Sequence, residues 1–158
     1  MFMQIIQIKR RLFMALAAFA WVAFSAPMAN AVLGGSADSV AADQARMKAS
    51  RTISANPRYQ IHELQAGEGN LVREYVSPEG KVFGVAWKSH FLPQLPQLLG
   101  SYADRLTAAA RTRTNHRAPL QINQPDFVYS AFGHQGFYAG HAYIPAMLPA
   151  GVSAEEIK

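Results

Sequence analysis

The residue types best suited to proton transfer lie close together in the middle of the chain. His62 and Glu63 fall in a β-prone segment at 59–66, and Glu74 falls in a second such segment at 71–76. If both segments are strands, His62 and Glu63 point to opposite faces of the sheet, and His62 meets Glu74 only if the register permits. Such a histidine–carboxylate pair is either a general acid or base or an ordinary cross-strand polar pair. His62 and Glu74 are therefore the catalytic candidates, although the sequence contains no recognisable catalytic motif.

Histidines are also the side chains that would bind a transition metal. The chain has five histidines and no cysteine, and none of the histidines has the His-Glu-x-x-His spacing of a zinc site. His134 and His141 flank one predicted strand near the end of the chain and are the metal candidates. The alternative is that the histidines face solvent or make ordinary hydrogen bonds. We expect no metal site and no cofactor.

Aromatic side chains with a polar atom are the third group, because they dominate recognition surfaces. The residues to consider for a ligand-facing surface are Arg73, Tyr75, Trp87, Tyr129, Tyr138 and Tyr143. Strand alternation sends about half of such side chains inward. We therefore expect most of them to lie in the core and one or two to be surface anchors.

The charged residues point to no nucleic-acid partner. Without the basic residues of the first 31 positions, 12 Lys and Arg face 10 Asp and Glu, so the formal charge falls from +5 to +2. Such a small charge gives no reason to expect binding to nucleic acid. One basic cluster remains, and we interpret it as a solvated loop rather than an anion site. Its members are Arg111, Arg113, His116 and Arg117.

Secondary-structure patterns indicate an α+β domain with a mainly antiparallel sheet of about five strands and one or two helices packed on one face. The predicted order is a helix from Ser36 or Ser39 to about Ser50, a three-strand meander, a helix and a hairpin. The meander strands are 59–66, 71–76 and 81–87, the second helix is 95–110, and the hairpin strands are 127–132 and 137–144. Residues 120–122 form a possible extra edge segment.

The first 31 residues have the three parts of a secretory signal peptide. A basic stretch at 9–11 precedes an apolar run at 12–24, and Ala29, Ala31 and Val32 mark the expected cleavage site. The run is too short for a transmembrane anchor, and the arginine pair leaves a twin-arginine export route open. We expect a periplasmic or secreted domain at 32–158, with a loose N-terminus and a frayed C-terminal tail.

Three segments of the sequence carry a family resemblance. They are YQIHEL at 59–64, LVREYVSPEGKVFGVAW at 71–87 and LLGSY at 98–102. With these segments the chain resembles a family of uncharacterised secreted proteins of Gram-negative bacteria, defined as a domain of unknown function. The resemblance extends over most of the chain after the signal peptide. It implies a secreted single domain and supplies no activity, substrate or catalytic residue.

A non-enzymatic binding module is the function that these observations favour. The partner would be a protein or a component of the cell envelope, bound through one face or edge of the sheet. The first alternative is a small hydrolase or metal-binding enzyme that uses His62 with Glu74, or His134 with His141. The second alternative is an assembly factor for an exported structure.

Overall fold

One antiparallel sheet of seven strands organises the chain. The computed structural model describes residues 33–115 and 118–158, so the expected signal peptide with Ala29, Ala31 and Val32 lies outside the described residues, as do His116 and Arg117. The strands are β1 (Ser50–Ala55), β2 (Gln60–Gln65), β3 (Leu71–Val76), β4 (Val82–Ser89), β5 (Leu120–Gln124), β6 (Phe127–His134) and β7 (Phe137–Tyr143). Their order across the sheet is β1-β2-β3-β4-β7-β6-β5, with every neighbouring pair antiparallel.

The predicted α+β class is confirmed, and the predicted number of about five strands is wrong. The predicted meander corresponds to β2, β3 and β4, and the predicted hairpin corresponds to β6 and β7. The connectors are glycine turns, in which Gly67, Gly69 and Gly80 adopt positive φ angles that other residues rarely tolerate. The possible edge segment at 120–122 is part of β5, which pairs with β6 at one edge of the sheet.

The strand that the sequence analysis did not predict is β1, at the opposite edge of the sheet. The sequence predicts a helix as far as Ser50, but the helix ends at Met47 because Lys48 adopts a left-handed conformation with φ of 50°. The next six residues then pair with β2 along their whole length. The residues of β1 other than Ile53 are small or polar, and the Ile53 side chain is 53% exposed. A strand with no buried face lacks the apolar alternation by which strands are predicted.

The helices pack on one face of the sheet. They are α1 (Ser39–Met47), α2 (Leu95–Leu99) and α3 (Ala103–Thr112), and a 3-10 turn at Gly100–Tyr102 joins the last two. The sequence predicts one continuous helix at 95–110, but Gly100, with φ of 53°, interrupts it. The predicted apolar stripe survives the break, since Leu98, Leu99 and Leu106 are all buried. None of the helices in the part of the chain described here is long and apolar enough to cross a membrane.

The main hydrophobic core lies between these helices and the sheet, and a second cluster lies on the opposite face. In the second cluster Ile157 packs together with Tyr59, Tyr75 and Phe83. Ile157 is only 1% exposed, and the Tyr59 hydroxyl donates to Glu156 at 2.8 Å. The C-terminal segment therefore packs on the sheet, which differs from the frayed tail that the sequence suggests.

The start of the described chain is packed as well. Leu33 is 2% exposed, and its N–H donates to the carbonyl of Leu98 at 3.1 Å. Ser36 forms an isolated antiparallel bridge with Lys81, just before β4 begins. From Leu33 onward, the chain is therefore tied to the sheet and to α2 rather than loose.

Candidate functional site

His62 and Glu74, the catalytic candidates, lie directly across from each other. β2 and β3 pair in the register that places His62 opposite Glu74, and both side chains therefore point to the helix-covered face. His62 is 2% exposed and Glu74 is 1% exposed. The two residues meet, but they meet inside the core.

The surroundings of His62 identify its protonation state. Its Nδ1 lies 2.8 Å from Nη2 of Arg51, and its Nε2 lies 3.2 Å from Oε1 of Gln60. A guanidinium only donates hydrogen bonds, so Nδ1 is the acceptor and Nε2 carries the proton that is donated to Gln60. Burial and then the nearby charge of Arg51 lower the pKa of His62. The imidazole is therefore neutral near pH 7.

A second carboxyl group meets Glu74 from α1. Asp43 is 0% exposed, and its Oδ1 accepts a hydrogen bond from Nε2 of Gln97 at 2.5 Å. Burial raises the pKa of Asp43 to about 6. Burial, followed by the charge of Asp43, raises the pKa of Glu74 to about 8.

The oxygens of the two carboxyl groups show how they are held together. Oδ2 of Asp43 and both carboxyl oxygens of Glu74 have no hydrogen-bond partner as ionised groups. Two adjacent buried carboxylates repel each other, whereas one proton between them turns one carboxyl into a donor to the other. A single shared proton therefore fits the raised pKa values and gives a partner to Oδ2 of Asp43 and to one of the two oxygens of Glu74. The pair then carries one negative charge, which Arg51 balances nearby.

We name this group the acid cluster. It consists of Asp43, Arg51, His62, Glu74 and Gln97, and it joins α1 and α2 to the first three strands. A general acid or base must reach the atom whose proton it transfers. Because Asp43, His62 and Glu74 are at most 2% exposed, the geometry favours a structural role for the cluster and the ordinary polar-pair interpretation of His62 and Glu74.

The two metal candidates are not brought together. His134 lies opposite Phe137 across the β6–β7 hairpin, whereas His141 lies opposite Ser130. The two positions are four residues apart along the sheet, or roughly 13 Å at the usual rise of a strand. Among residues 33–115 and 118–158, no group of three or more His, Asp or Glu side chains is arranged to hold a metal ion.

Three of the aromatic candidates converge on one cavity. Trp87, Tyr129 and Tyr138 line an open groove of about 620 Å³ between α3 and the β4-β7-β6-β5 part of the sheet. We call it the aromatic groove. Its other lining residues are Leu92, Leu95, Leu106, Thr107, Ala110, Arg113, Ala118, Pro119, Leu120, Ala131, Phe132, Gly133 and His134. The volume is that of a typical small-molecule site.

Two polar atoms belong to side chains at the wall of the groove. The rings of Trp87 and Tyr129 lie 5.7 Å apart, and the two residues are 4% and 3% exposed. The Trp87 indole N–H and the Tyr129 hydroxyl make no hydrogen bond among the described residues, and neither atom is among the fully buried polar atoms without a partner, so both remain accessible. Burial raises the pKa of Tyr129 to about 12, so its hydroxyl keeps its proton at physiological pH. An accessible N–H and an accessible O–H at the wall of a cavity can serve a ligand as hydrogen-bond partners.

Exposed apolar side chains flank the groove. Leu92 is 65% exposed and Phe132 is 56% exposed, and both line it. The adjacent Phe91 is 74% exposed and lines a neighbouring cavity of about 430 Å³ that shares Leu92. Exposed apolar side chains grouped around a cavity are typical of a binding site rather than of ordinary surface.

The other three ligand candidates lie on the opposite face. Arg73 pairs with Glu63 at 2.7 Å and donates to the carbonyl of Lys158 at 2.8 Å. Tyr75 is 2% exposed and its hydroxyl bonds to the same carbonyl at 3.0 Å. Tyr143 packs partly against this second core cluster. These contacts hold the C-terminal segment in place.

Sequence reasoning missed Asp43, Arg51 and Gln97, as well as the leucines of the groove. One signal for Asp43 was available, since it follows Val40 by three residues and so shares the buried side of a short helix. Glu74 carried a similar signal, because Val72 and Val76 share its face of a strand. A carboxyl group in an apolar pattern indicates a buried charge that needs a partner.

Comparison with known families gives one match. The family model described as "Protein of unknown function (DUF2844)" matches residues 29–157. This chain therefore belongs to that family. No curated protein and no solved structure matches it.

Proposed function

We propose that this member of the DUF2844 family is an exported, non-enzymatic binding protein that holds an apolar component of the cell envelope in its aromatic groove. The observation that carries the proposal is the groove itself, a cavity of about 620 Å³ with buried Trp87 and Tyr129 at its wall. Export rests on the signal-peptide pattern of the first 31 residues.

The form of the groove favours a small ligand over a protein surface. A stable protein interface buries about 800 Å² on each partner, across a broad patch of surface. This site is instead a cleft between one helix and the sheet, in the size range of small-molecule pockets. Its aliphatic and aromatic lining supplies the apolar contact area, and its few polar atoms supply orientation.

The enzyme alternative gains no support from the arrangement of the side chains. Its first candidate pair, His62 and Glu74, is buried with at most 2% exposure, and its second pair, His134 and His141, is separated along the hairpin. The groove itself contains no histidine–carboxylate or serine–histidine set among the lining residues that the structure describes.

Tryptophan fluorescence offers a direct test, because Trp87 and Trp21 are the only two tryptophans of the chain. In the full-length protein carrying Trp21→Phe, Trp87 is the single reporter and lines the groove. We expect neutral primary alcohols to shift its emission saturably. Each two-carbon extension, from octanol to decanol to dodecanol, should tighten binding about tenfold, because each buried methylene contributes about 0.8 kcal/mol.

Two alanines of α3 provide a matched pair of variants. Ala108 and Ala110 are both exposed, but only Ala110 lines the groove. Ala110→Phe fills the groove and should weaken alcohol binding at least tenfold, whereas Ala108→Phe should leave it unchanged. Equal effects of the two substitutions, or no saturable response to any alcohol, would contradict the proposed function.

A further inference from the structure

The strand register brings several connections together at one end of the sheet. β1 begins beside the end of β2, β3 begins beside the end of β4, and β6 ends beside the start of β7. The segments at these strand ends are 48–49, 66–70, 90–94 and 135–136. α3 also ends here, because Ala110 lines the groove together with Gly133 near the end of β6. We call this part of the molecule the apolar end.

Three large apolar side chains are exposed at the apolar end. Phe91 is 74% exposed, Leu92 is 65% exposed and Phe132 is 56% exposed. Among the described residues the only other exposed large apolar side chain is Ile53, in the middle of β1. Exposed apolar side chains are normally scattered singly over a protein surface. Their grouping at one end therefore indicates a surface that an apolar partner covers.

The loop after β4, which carries Phe91 and Leu92, is held in place. Oδ1 of Asn70 accepts hydrogen bonds from the Ser89 hydroxyl at 2.6 Å and from the His90 N–H at 3.1 Å. The Ser89 oxygen in turn accepts from the Phe91 N–H at 3.2 Å. The loop therefore presents its apolar side chains in a fixed arrangement, which lowers the entropic cost of binding a partner.

The apolar end also carries positive charge. Lys48, Lys88 and Arg111 are exposed there, and none of them forms an ion pair with a described residue. Glu68, in the β2–β3 turn, is the one acidic side chain among the described residues of this end. The sequence analysis assigned Arg111 to a solvated loop, but it lies in the last turn of α3.

The opposite end of the sheet has the reverse balance of charge. It contains the turns 56–59, 77–81 and 125–126, the start of α1 and the start of α3. Acidic side chains outnumber basic ones there. The acidic residues are Asp38, Glu79, Asp104, Asp126, Glu155 and Glu156, and the basic residues are Arg58, Lys81 and Arg105.

We infer that the apolar end docks on an anionic lipid surface, with its three exposed apolar side chains among the acyl chains and its cations against the head groups. An anionic bilayer offers an apolar interior behind a negative surface, and this end complements both properties. The more acidic opposite end is repelled from the same surface, which favours one orientation. The inference adds a docking surface to the proposed function, since the groove would then open toward the bilayer.

Labels at single positions can test this orientation, because the chain has no cysteine of its own. Phe91→Cys and Phe132→Cys each place a nitroxide at the apolar end. Ile53→Cys is the matched control, because Ile53 is as exposed as Phe132 but lies on β1. The first 31 residues are the same in every variant and cannot account for a difference between labelled positions.

The full-length labelled proteins are mixed with vesicles of equal amounts of phosphatidylcholine and phosphatidylglycerol. Power-saturation electron paramagnetic resonance compares collisions of the nitroxide with oxygen, which concentrates among acyl chains, and with a water-soluble nickel chelate. We expect the labels at Phe91→Cys and Phe132→Cys to lose accessibility to the chelate and gain accessibility to oxygen on the vesicles. The label at Ile53→Cys should keep its accessibility to the chelate.

Two lysines test the contribution of charge. Lys88→Gln, combined with the label at Phe91→Cys, should raise the lipid concentration for half-maximal immersion about fivefold, because one basic residue near an anionic surface contributes about 1 kcal/mol. Lys81→Gln is the matched control, because Lys81 is exposed at the opposite end. It should leave that lipid concentration unchanged.

Several outcomes would overturn the inference. Labels at the apolar end that stay accessible to the chelate on vesicles, or equal immersion of the label at Ile53→Cys, would exclude this docking surface. Equal immersion on vesicles of phosphatidylcholine alone would exclude the role of anionic lipid. A loss of chelate accessibility without vesicles that grows with protein concentration would show that a second copy covers this end. The alcohol titrations of the groove use no vesicles, so docking can fail while the proposed function stands.

Discussion

Replacing Glu74 by glutamine should stabilise the protein, and the gain should grow with pH. Glutamine mimics the protonated carboxyl and can donate to Asp43, whose Oδ2 has no other partner. In the folded protein the pKa of Glu74 is raised to about 8 from an ordinary value of 4.5. The folded state therefore binds a proton more tightly than the unfolded state does, and stability is lost as pH rises from 4.5 to 8.

The magnitude follows from the two pKa values. Each unit of pKa difference corresponds to about 1.4 kcal/mol, and at pH 7 the unfolded glutamate is ionised while the folded one is mostly protonated. Wild-type protein thus loses about 3 kcal/mol of unfolding free energy through Glu74 between pH 4 and pH 7. The Glu74→Gln variant lacks this loss. The difference in unfolding free energy between the variant and the wild type should therefore increase by about 3 kcal/mol from pH 4 to pH 7.

Urea unfolding followed by far-ultraviolet circular dichroism at pH 4.5, 6, 7 and 8 measures the difference between the two proteins. The difference removes the contributions of titrating groups outside the acid cluster, and the titration of Asp43, which shares the proton with Glu74, is part of the measured effect. Glu63→Gln is the control, because Glu63 forms a half-exposed pair with Arg73 and should change the unfolding free energy by no more than about 1 kcal/mol. A flat difference for Glu74→Gln, or a variant less stable than wild type at pH 8, would refute the shared-proton interpretation.

Three further substitutions test the packing. Gly140→Ala should destabilise by about 1–3 kcal/mol, because a Cβ there would lie 2.5 Å from Cζ2 of Trp87; thermal denaturation measures the loss. Ile157→Ala should cost about 2–4 kcal/mol in urea unfolding if the C-terminal segment is part of the core, and a change below about 0.5 kcal/mol would show that this segment is not. Arg105→Gln breaks an exposed bidentate pair with Asp126 and removes the guanidinium from above the Tyr102 ring, so the urea midpoint should fall by less than it does in Ile157→Ala.

The periodicity of apolar residues was sufficient to predict the helices and strands that have a buried face. The leucine stripe at 95–106 and the strands at 71–76 and 82–89 bury apolar side chains, on one face of the helix and on one or both faces of the strands, which is the property that the pattern measures. It failed for β1, a polar edge strand that is held by its backbone bonds to β2. It also placed no break at Gly100, where the positive φ interrupts the helix.

The sites depended on contacts between distant parts of the chain. Residue type alone drew attention to Trp87, Tyr129 and Tyr138, but their convergence requires β4 to pair with β7 across the intervening helices and strands. The same holds for Glu74, whose meeting with His62 depends on register and whose meeting with Asp43 depends on how α1 docks. Hairpin patterns constrain neighbouring strands and give no information about such docking.

The most direct test of the central claim is a two-dimensional ¹H–¹⁵N NMR titration of the labelled protein with 1-decanol. The account predicts saturable shifts of the Trp87 indole N–H and of the backbone amides of Ala110 and Ala131, which line the groove. Amides of Tyr75 and Ile157, in the core cluster on the opposite face, should not move. Saturable shifts confined to that opposite face, or no shift at any concentration up to the solubility of the alcohol, would contradict it.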